Sequence, residues 1–338
     1  MTSVVRAYVD FVSAYSYIAI YRLDAVAEAH GLAVDWQVVS LPHVLRAAGG
    51  ASPLTQPLKA AHNRHDWQRR CARAGLAARY PAATPIEAGL ARLAFHRLKQ
   101  AEPLAARAFL RAVSARCFGE GLPIGTEHDL VEALAAGGLG DLAREIPAAA
   151  DDPQARASLL SAYDDALADG MFGAPFMVHA GETFWGSDQL EAIDRHLART
   201  GARPAGFDAL AVLASFPDGF GPVFRRTEAQ GVALGLRVSA RHANPAGVAH
   251  GGLLATLADM AAGAQLAHAL GTRPGVPTVS LTLDFLRPVP IGGWLEARAR
   301  LLGAGGRIAF VEGILTCDGT DAVRFSGTLA LPRPASFS

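Results

Sequence analysis

Residues 4–9 form a short β-branched and apolar run that predicts a buried strand. Residues 18–30 then show helical periodicity and stop at Gly31, and 33–39 turn strand-like again. Strand, helix and strand in so short a stretch predict a βαβ unit, whose first loop is a common place for a ligand in α/β folds. Pro42, Gly49, Gly50 and Pro57 interrupt the chain, predicting a loop-rich passage. Helical patterns follow over 58–76, 86–100, 105–117 and 128–136, so residues 41–160 read as an all-helical insertion. The α/β pattern resumes with a helix over 159–168, an apolar strand after Pro175, a tight turn at Ala180, Gly181 and Glu182, a strand over 183–185, and a helix over 189–197.

Residues 199–206 (R-T-G-A-R-P-A-G) have linker composition, and a new apolar helix is predicted from Phe207, ended by the turn-rich run 217–222. From there the period changes to two. Residues 231–242 alternate through Val232, Leu234, Leu236 and Val238, and further strands are predicted over 278–286, 294–302, 308–318 and 322–331, with a hairpin at 303–306. Between the first of these strands and the others lies one long Ala- and Leu-rich helix. Domains 1–198 and 207–338 follow, with α/β and α+β character respectively.

Composition narrows the partners. The 338 residues carry 31 basic and 31 acidic side chains and 51% hydrophobic residues, so no electrostatic case exists for nucleic acid or a membrane surface. Cys71, Cys117 and Cys317 are too widely spaced for a CxxC site or a disulfide framework, and no metal site is expected. Residues 1–20 contain Asp10 and lack a basic leader, and no window is judged apolar enough to span a membrane. A reducing cytoplasm is the expected compartment, with small-molecule substrates.

Candidate chemistry sits in two places. Asn244, Pro245 and Gly247 make a rigid turn that runs into His250, Gly251 and Gly252 and then into the long helix, whose first backbone N–H groups point at whatever lies in front of it. The glycines let a carbonyl or oxyanion approach closely. Asp259 follows about two turns later among Leu, Ala and Met, where a buried carboxylate needs a reason; the plainer alternative is a glycine-entered core helix with Asp259 facing solvent. His250 reads equally as a turn-forming histidine bonded to backbone. In the first half, Ser13 on spacing alone is a helix N-cap, Ser187 and Asp188 are caps at another helix start, and Pro175 sits at a strand start or is cis. The charges over 59–73, from Lys59 through Asp66, Arg69 and Arg70 to Arg73, read as a solvated face.

The set Ser13-Ala14-Tyr15-Ser16, the helical insertion, G-A-P-F-M-V and F-W-G-S-D-Q-L resembles the kappa-class glutathione transferase and 2-hydroxychromene-2-carboxylate isomerase family, a thioredoxin-fold branch, over residues 1–198. The resemblance implies that Ser13 hydrogen-bonds a glutathione sulfur, that Ala174 and cis-Pro175 line the cofactor, and that Ser187 and Asp188 hold its γ-glutamyl end. Lys59, with Asp66 and Arg69, lies where the family places polar groups near the substrate. Ala14 replaces the family's usual proline, and no cysteine stands at 13 or 16, which removes a dithiol oxidoreductase. Asn244, His250, Gly251, Gly252, Asp259 and Thr278 in register resemble the hotdog-fold acyl-CoA thioesterases of the phenylacetate type. That resemblance implies one long helix on an antiparallel sheet, a homodimer or homotetramer, and hydrolysis of a thioester that carries coenzyme A. In it Gly251 polarises the carbonyl, Gly252 lines the substrate, Asp259 of the facing subunit is base or nucleophile, Asn244 positions carbonyl or water, and Thr278 holds the water.

Together the expectation is a bifunctional enzyme: glutathione-dependent cis/trans isomerisation of an aromatic 2-hydroxychromene-2-carboxylate-like acid, and acyl- or aryl-CoA hydrolysis. Two alternatives stand beside it. One is a broad-specificity glutathione transferase fused to the thioesterase; the other is an isomerase whose hotdog part only binds acyl-CoA or dimerises.

Overall fold

The computed structural model of the chain describes residues 4–52, 56–82, 84–201, 203–210, 220–229, 231–271 and 275–331. It divides into two compact units, Met1–Ala27 with Leu32–Ile193, and Glu28–Gly31 with Asp194–Ser338.

In the first unit, β1 (Val4–Val9), α1 (Ala14–Glu28) and β2 (Ala33–Val38) form the expected βαβ unit. β1 is buried at Val5 and from Ala7 to Val9, on both faces of the sheet, with Val4 exposed and Arg6 half-buried at its outer end. It pairs parallel with β2 and antiparallel with β3 (Phe176–His179), and β3 pairs with β4 (Glu182–Trp185), giving the order β2-β1-β3-β4. Among the described residues the insertion between β2 and β3 holds seven α-helices: α2 (Leu41–Ala47), α3 (Pro57–Arg73), α4 (Gly89–Ala101), α5 (Pro103–Ser114), α6 (Glu127–Ala136), α7 (Glu145–Ala150) and α8 (Pro153–Ala168). Two of them, α2 and α7, lie where no helix was predicted. α2 is short and enters through Pro42 at its second position, where a missing N–H costs nothing, so proline opened a helix instead of breaking one. α5 runs on into a π-helical turn, Ala115–Gly119, and α6 starts on a Thr126–Asp129 capping box.

One ion pair ties the insertion to the end of β1. The Asp10 carboxylate is completely buried and takes Arg92 Nε and NH2 of α4 at 2.9 Å each, while Leu41 N–H at the start of α2 donates to it at 2.7 Å. Burial pushes this carboxyl above its ordinary value, and the guanidinium and backbone donors pull the other way.

After β4 a 3-10 turn (Ser187–Gln189) leads into α9 (Leu190–Thr200), and the change of unit falls inside α9, ahead of the 199–206 segment, of which Ala202 lies outside the described residues. Within the second unit buried His30 and Asp194 pair at 2.7 Å. The helix predicted from Phe207 is not found at its start: Asp208–Ala209 is a strand, β5, paired with β6 (Phe224–Glu228). The rest of that helix and the start of the turn run fall on 211–219, outside the described residues. β7 (Gly231–Arg237), α10 (Gly251–Leu270), β8 (Thr278–Phe285), β9 (Trp294–Gly305), β10 (Ile308–Cys317) and β11 (Thr320–Ala330) complete a seven-stranded sheet, ordered β5-β6-β7-β9-β10-β11-β8 and antiparallel at every pairing. The β9–β10 hairpin turns at 305–308, slightly later than predicted.

α10 packs on this sheet through Leu254, Leu257, Ala258, Ala261, Ala262 and Leu266, against Leu234, Leu295, Val311 and Phe325. Contrary to the sequence-based expectation, α10 is long and apolar enough by composition to cross a membrane. Half of that window is buried within the fold, which makes it the core helix of a sheet-and-helix unit.

Replacing Arg92 by Met strands the buried Asp10 charge and is expected to lower unfolding free energy by about 3–5 kcal/mol in chemical denaturation. The Asp10→Asn/Arg92→Met double variant should recover most of the loss. A single variant as stable as the parent would refute the role given to the pair.

Candidate active sites

The first site forms where β1 passes into α1. Ser13 N–H donates to Asp10 O at 3.1 Å, and the buried Ser13 hydroxyl accepts Ser16 N–H at 3.2 Å while it donates to Ala174 O at 3.0 Å. The expected N-cap is therefore present, and the same hydroxyl reaches the loop before β3, where the Ala174–Pro175 bond is cis. Pro175 O in turn accepts Gly186 N–H at 2.9 Å, which brings the Gly186-Ser187-Asp188 turn beside the loop. Ser187 is buried, and its hydroxyl has no hydrogen-bond partner among the described residues. A buried hydroxyl left unpaired is costly unless something docks against it, so this helix start suits a polar ligand group.

Tyr15, Asp66 and Arg70 complete this site, and neither Tyr15 nor Arg70 was singled out for a role from sequence. Asp66 accepts from Arg70 Nε at 2.6 Å, Tyr15 OH at 2.9 Å and Arg69 NH2 at 3.1 Å, and Arg70 NH1 lies 3.8 Å from Asp188 Oδ1. Partial burial pushes the Asp66 carboxyl up, but the donors outweigh it and hold it down at about 2, so it is an anion at every ordinary pH. Tyr15 is raised by burial and by its bond to that anion, which keeps its hydroxyl protonated as a donor. The charge run thus contains one inward stripe: Lys59, Asp66 and Arg70 stand at i, i+7 and i+11 of one helix face, although Lys59 itself is exposed. The signal available in the sequence was the Asp66–Arg70 spacing of four residues, which also marks an ordinary surface pair.

In the second unit the Asn244 side chain closes its own turn. Its Oδ1 accepts Ala246 N–H at 2.9 Å and Val248 N–H at 3.4 Å, which leaves its amide NH2 as the group to offer a ligand. His250 is the N-cap of α10, with Nδ1 accepting Gly252 N–H at 2.9 Å and its carbonyl accepting Leu253 N–H at 2.9 Å. His250 is thus bonded to backbone through its ring, and Gly252 N–H is spent on that bond. Gly251 N–H remains the first-turn donor without a partner among the described residues. A Cβ at 251 would come within 3.4 Å of the Phe285 ring, so glycine keeps that approach open.

Asp259 is not buried, as the surrounding Leu, Ala and Met had suggested, but half-exposed. The stripe Leu254, Ala258, Ala261 and Gln265 faces the sheet, which turns Asp259 to the helix shoulder beside the edge strand β8. There Thr278 donates to Asp259 Oδ1 at 2.6 Å, which brings two predicted site residues together. Gly251 stays apart from them: eight residues of helix separate it from Asp259 by about 12 Å along the axis. No group of three or more possible metal ligands occurs among the described residues.

Comparison with known proteins agrees with this division. The DSBA-like thioredoxin domain model matches residues 4–198, and the thioesterase superfamily model matches 246–323. A Pseudomonas aeruginosa protein provisionally named an esterase is 37% identical over 130 residues, 38% of this chain and 97% of its own length. The 2-hydroxychromene-2-carboxylate isomerase of Sphingobium xenophagum is 26% identical over 203 residues, covering 58% of this chain and 99% of that one. A solved structure of an enzyme of that name aligns with a TM-score of 0.49 and 23% identity over 57% of this chain and 94% of its own. With one family model spanning more than half of its length, the chain belongs to the DSBA-like thioredoxin domain family, and its C-terminal unit to the thioesterase superfamily.

Proposed function

We propose that this is a bifunctional cytoplasmic enzyme of small-molecule catabolism. Its first unit isomerises an aromatic 2-hydroxychromene-2-carboxylate-like acid with glutathione, and its second hydrolyses an acyl- or aryl-CoA thioester. The isomerase reading rests on the Ser13 hydroxyl, set between the N-terminus of α1 and the cis-proline loop in a site without cysteine. When bound, glutathione supplies a thiolate able to add to a conjugated double bond and leave after rotation. Ser13 turns its proton from Ala174 O towards the sulfur, and the positive end of α1 adds to the stabilisation of negative charge there. The unpartnered Ser187 hydroxyl takes one end of the γ-glutamyl group and Asp188 its ammonium, while Arg70 keeps Asp188 oriented.

In the second unit the Asp259–Thr278 pair supports the reading. The Thr278 proton occupies one carboxylate oxygen and leaves the other free to take a proton from water as general base. Gly251 N–H polarises the thioester carbonyl, assisted by the Asn244 amide. The separation of about 12 Å along the helix axis between Gly251 and Asp259 favours a site that a second copy completes. β8 offers the means: it is an edge strand with Val279 and Phe285 exposed, the kind of edge that pairs with another chain as a dimer or larger homo-oligomer.

Ser13→Ala is expected to lower glutathione-dependent isomerisation by roughly 100-fold or more while costing only about 1 kcal/mol of stability as a lost cap; undiminished turnover would remove Ser13 from the mechanism. Across a panel of aryl- and alkyl-CoA thioesters, Asp259→Asn should reduce hydrolysis by about 100- to 10,000-fold with an unchanged circular dichroism spectrum. Sedimentation should give a dimer or larger species, and a hydrolytically active strict monomer would contradict the shared site.

A further inference from the structure

Trp185 and Phe172 are uncovered aromatic residues that flank the loop carrying Ala174, the Ser13 hydroxyl's acceptor. Trp185 is 54% exposed and Phe172 45% exposed, with ring centroids 4.7 Å apart at an interplanar angle of 60°. Phe172 leans on Phe176 at 5.9 Å, so the pair is anchored from below by a buried ring. The chain's other tryptophans, Trp36, Trp67 and Trp294, are at most 5% exposed, so an indole left half in water is out of keeping with the rest of the fold.

Three features place this pair at the site rather than elsewhere on the surface. Tyr8, Phe176 and Trp185 are register partners across β1, β3 and β4, which sets Trp185 at the end of the sheet where β1 gives way to Ser13. The indole lies against Gly173, where an added Cβ would fall 2.4 Å from Trp185 Nε1, so glycine is needed for the ring to lie there. Gly173 is followed by Ala174, whose carbonyl accepts the Ser13 hydroxyl at 3.0 Å, and Trp185 by Gly186, which donates to Pro175 O. The aromatic surface and the candidate catalytic hydroxyl are thus held by one loop.

We propose that Trp185 and Phe172 form a shelf that binds the planar ring of an aromatic substrate beside Ser13. The proposal deepens, and its link to catalysis rests on, the reading of the first unit as a glutathione-dependent isomerase. A flat, polarisable ring gains from offset or edge contact with an indole and a phenyl face in a way that a puckered saturated ring does not, and the shelf therefore sets specificity for aryl groups. Gly173 has a matching part in it, since any side chain there displaces the indole.

The test uses the full chain and tryptophan emission, excited where benzoate is transparent. Acrylamide should quench the wild type through Trp185, and Trp185→Leu should lose that quenchable fraction, the remaining indoles being buried. Benzoate should protect the wild type from quenching, and cyclohexanecarboxylate should not. In the isomerase assay Trp185→Leu should raise KM for the aromatic substrate about tenfold with kcat within about twofold, and Trp185→Phe, which keeps a ring, should stay near the parent. Equal protection by both carboxylates, or none by benzoate, overturns the shelf. So does quenching that falls with protein concentration in the absence of benzoate, since a second copy then covers the pair. The quenching arm needs neither glutathione nor turnover: a chain that benzoate protects but that isomerises nothing keeps the shelf and loses the isomerase reading. A chain that isomerises with an unchanged KM in Trp185→Leu keeps the reading and loses the shelf.

Discussion

The first turn of an α-helix carries backbone N–H groups that the helix itself cannot satisfy, and both candidate sites are built on how this chain disposes of them. At α1, Ser13 accepts Ser16 N–H, and its hydroxyl hydrogen is left to reach across to Ala174 O. At α10, His250 takes Gly252 N–H with its ring and Leu253 N–H with its carbonyl, leaving Gly251 N–H open. At α10 the cap pairs the donors around Gly251 and leaves its N–H open, whereas at α1 the cap's own hydroxyl hydrogen is the donor turned toward the cis-proline loop. Nearly everything else near the sites serves to hold that donor in place. The Asp10–Arg92 pair pins the turn before Ser13 to α4, and the Asn244 turn fixes the approach to His250.

The surroundings of the two donors differ in a way that suits different chemistry. In the first unit Ser13 bonds the cis-proline loop, while Asp66 nearby in the fold is held anionic by three donors and Arg70 spans Asp66 and Asp188. Gly251 has an exposed ring beside it and a carboxylate too far along the same helix to share a substrate atom. The first unit contains a complete set of groups around one point. The second holds Gly251 at the start of α10 and Asp259 about two turns further along it, the separation on which the proposed shared site rests.

Much of this could be read from residue types and their spacing. The βαβ unit, the helical insertion and the later alternation over Val232, Leu234, Leu236 and Val238 follow directly from the period of the apolar positions, and Ser13 and Pro175 stand where a cap and a cis bond were expected. α2 was missed because proline is read as a breaker when it can open a helix. β5 and β6 were missed because Asp208, Arg225, Arg226 and Glu228 leave too little alternation for a strand to declare itself; their place is set by pairing with neighbours. Asp259 was misjudged because α10 is apolar nearly all round, and a helix without a polar face gives no clue to which side meets the sheet.

By itself, then, the sequence determined the βαβ start, the helical insertion, most strands of the second sheet and the kinds of group at the two candidate helix starts, because these depend on local backbone preference and on periods of two and 3.6 residues. Only the tertiary structure decided which distant groups meet. Tyr15 and Asp66 are far apart in sequence, as are Ser13 and Ala174, and Asp259 finds Thr278 across the edge of a sheet. Only folding, too, turned Arg70 from one charge in a run into part of a site, and left Trp185 in water while Trp36, Trp67 and Trp294 were covered. Those outcomes depend on which surfaces the packing of sheet and helices happens to close, a property of the assembled core that no local window contains.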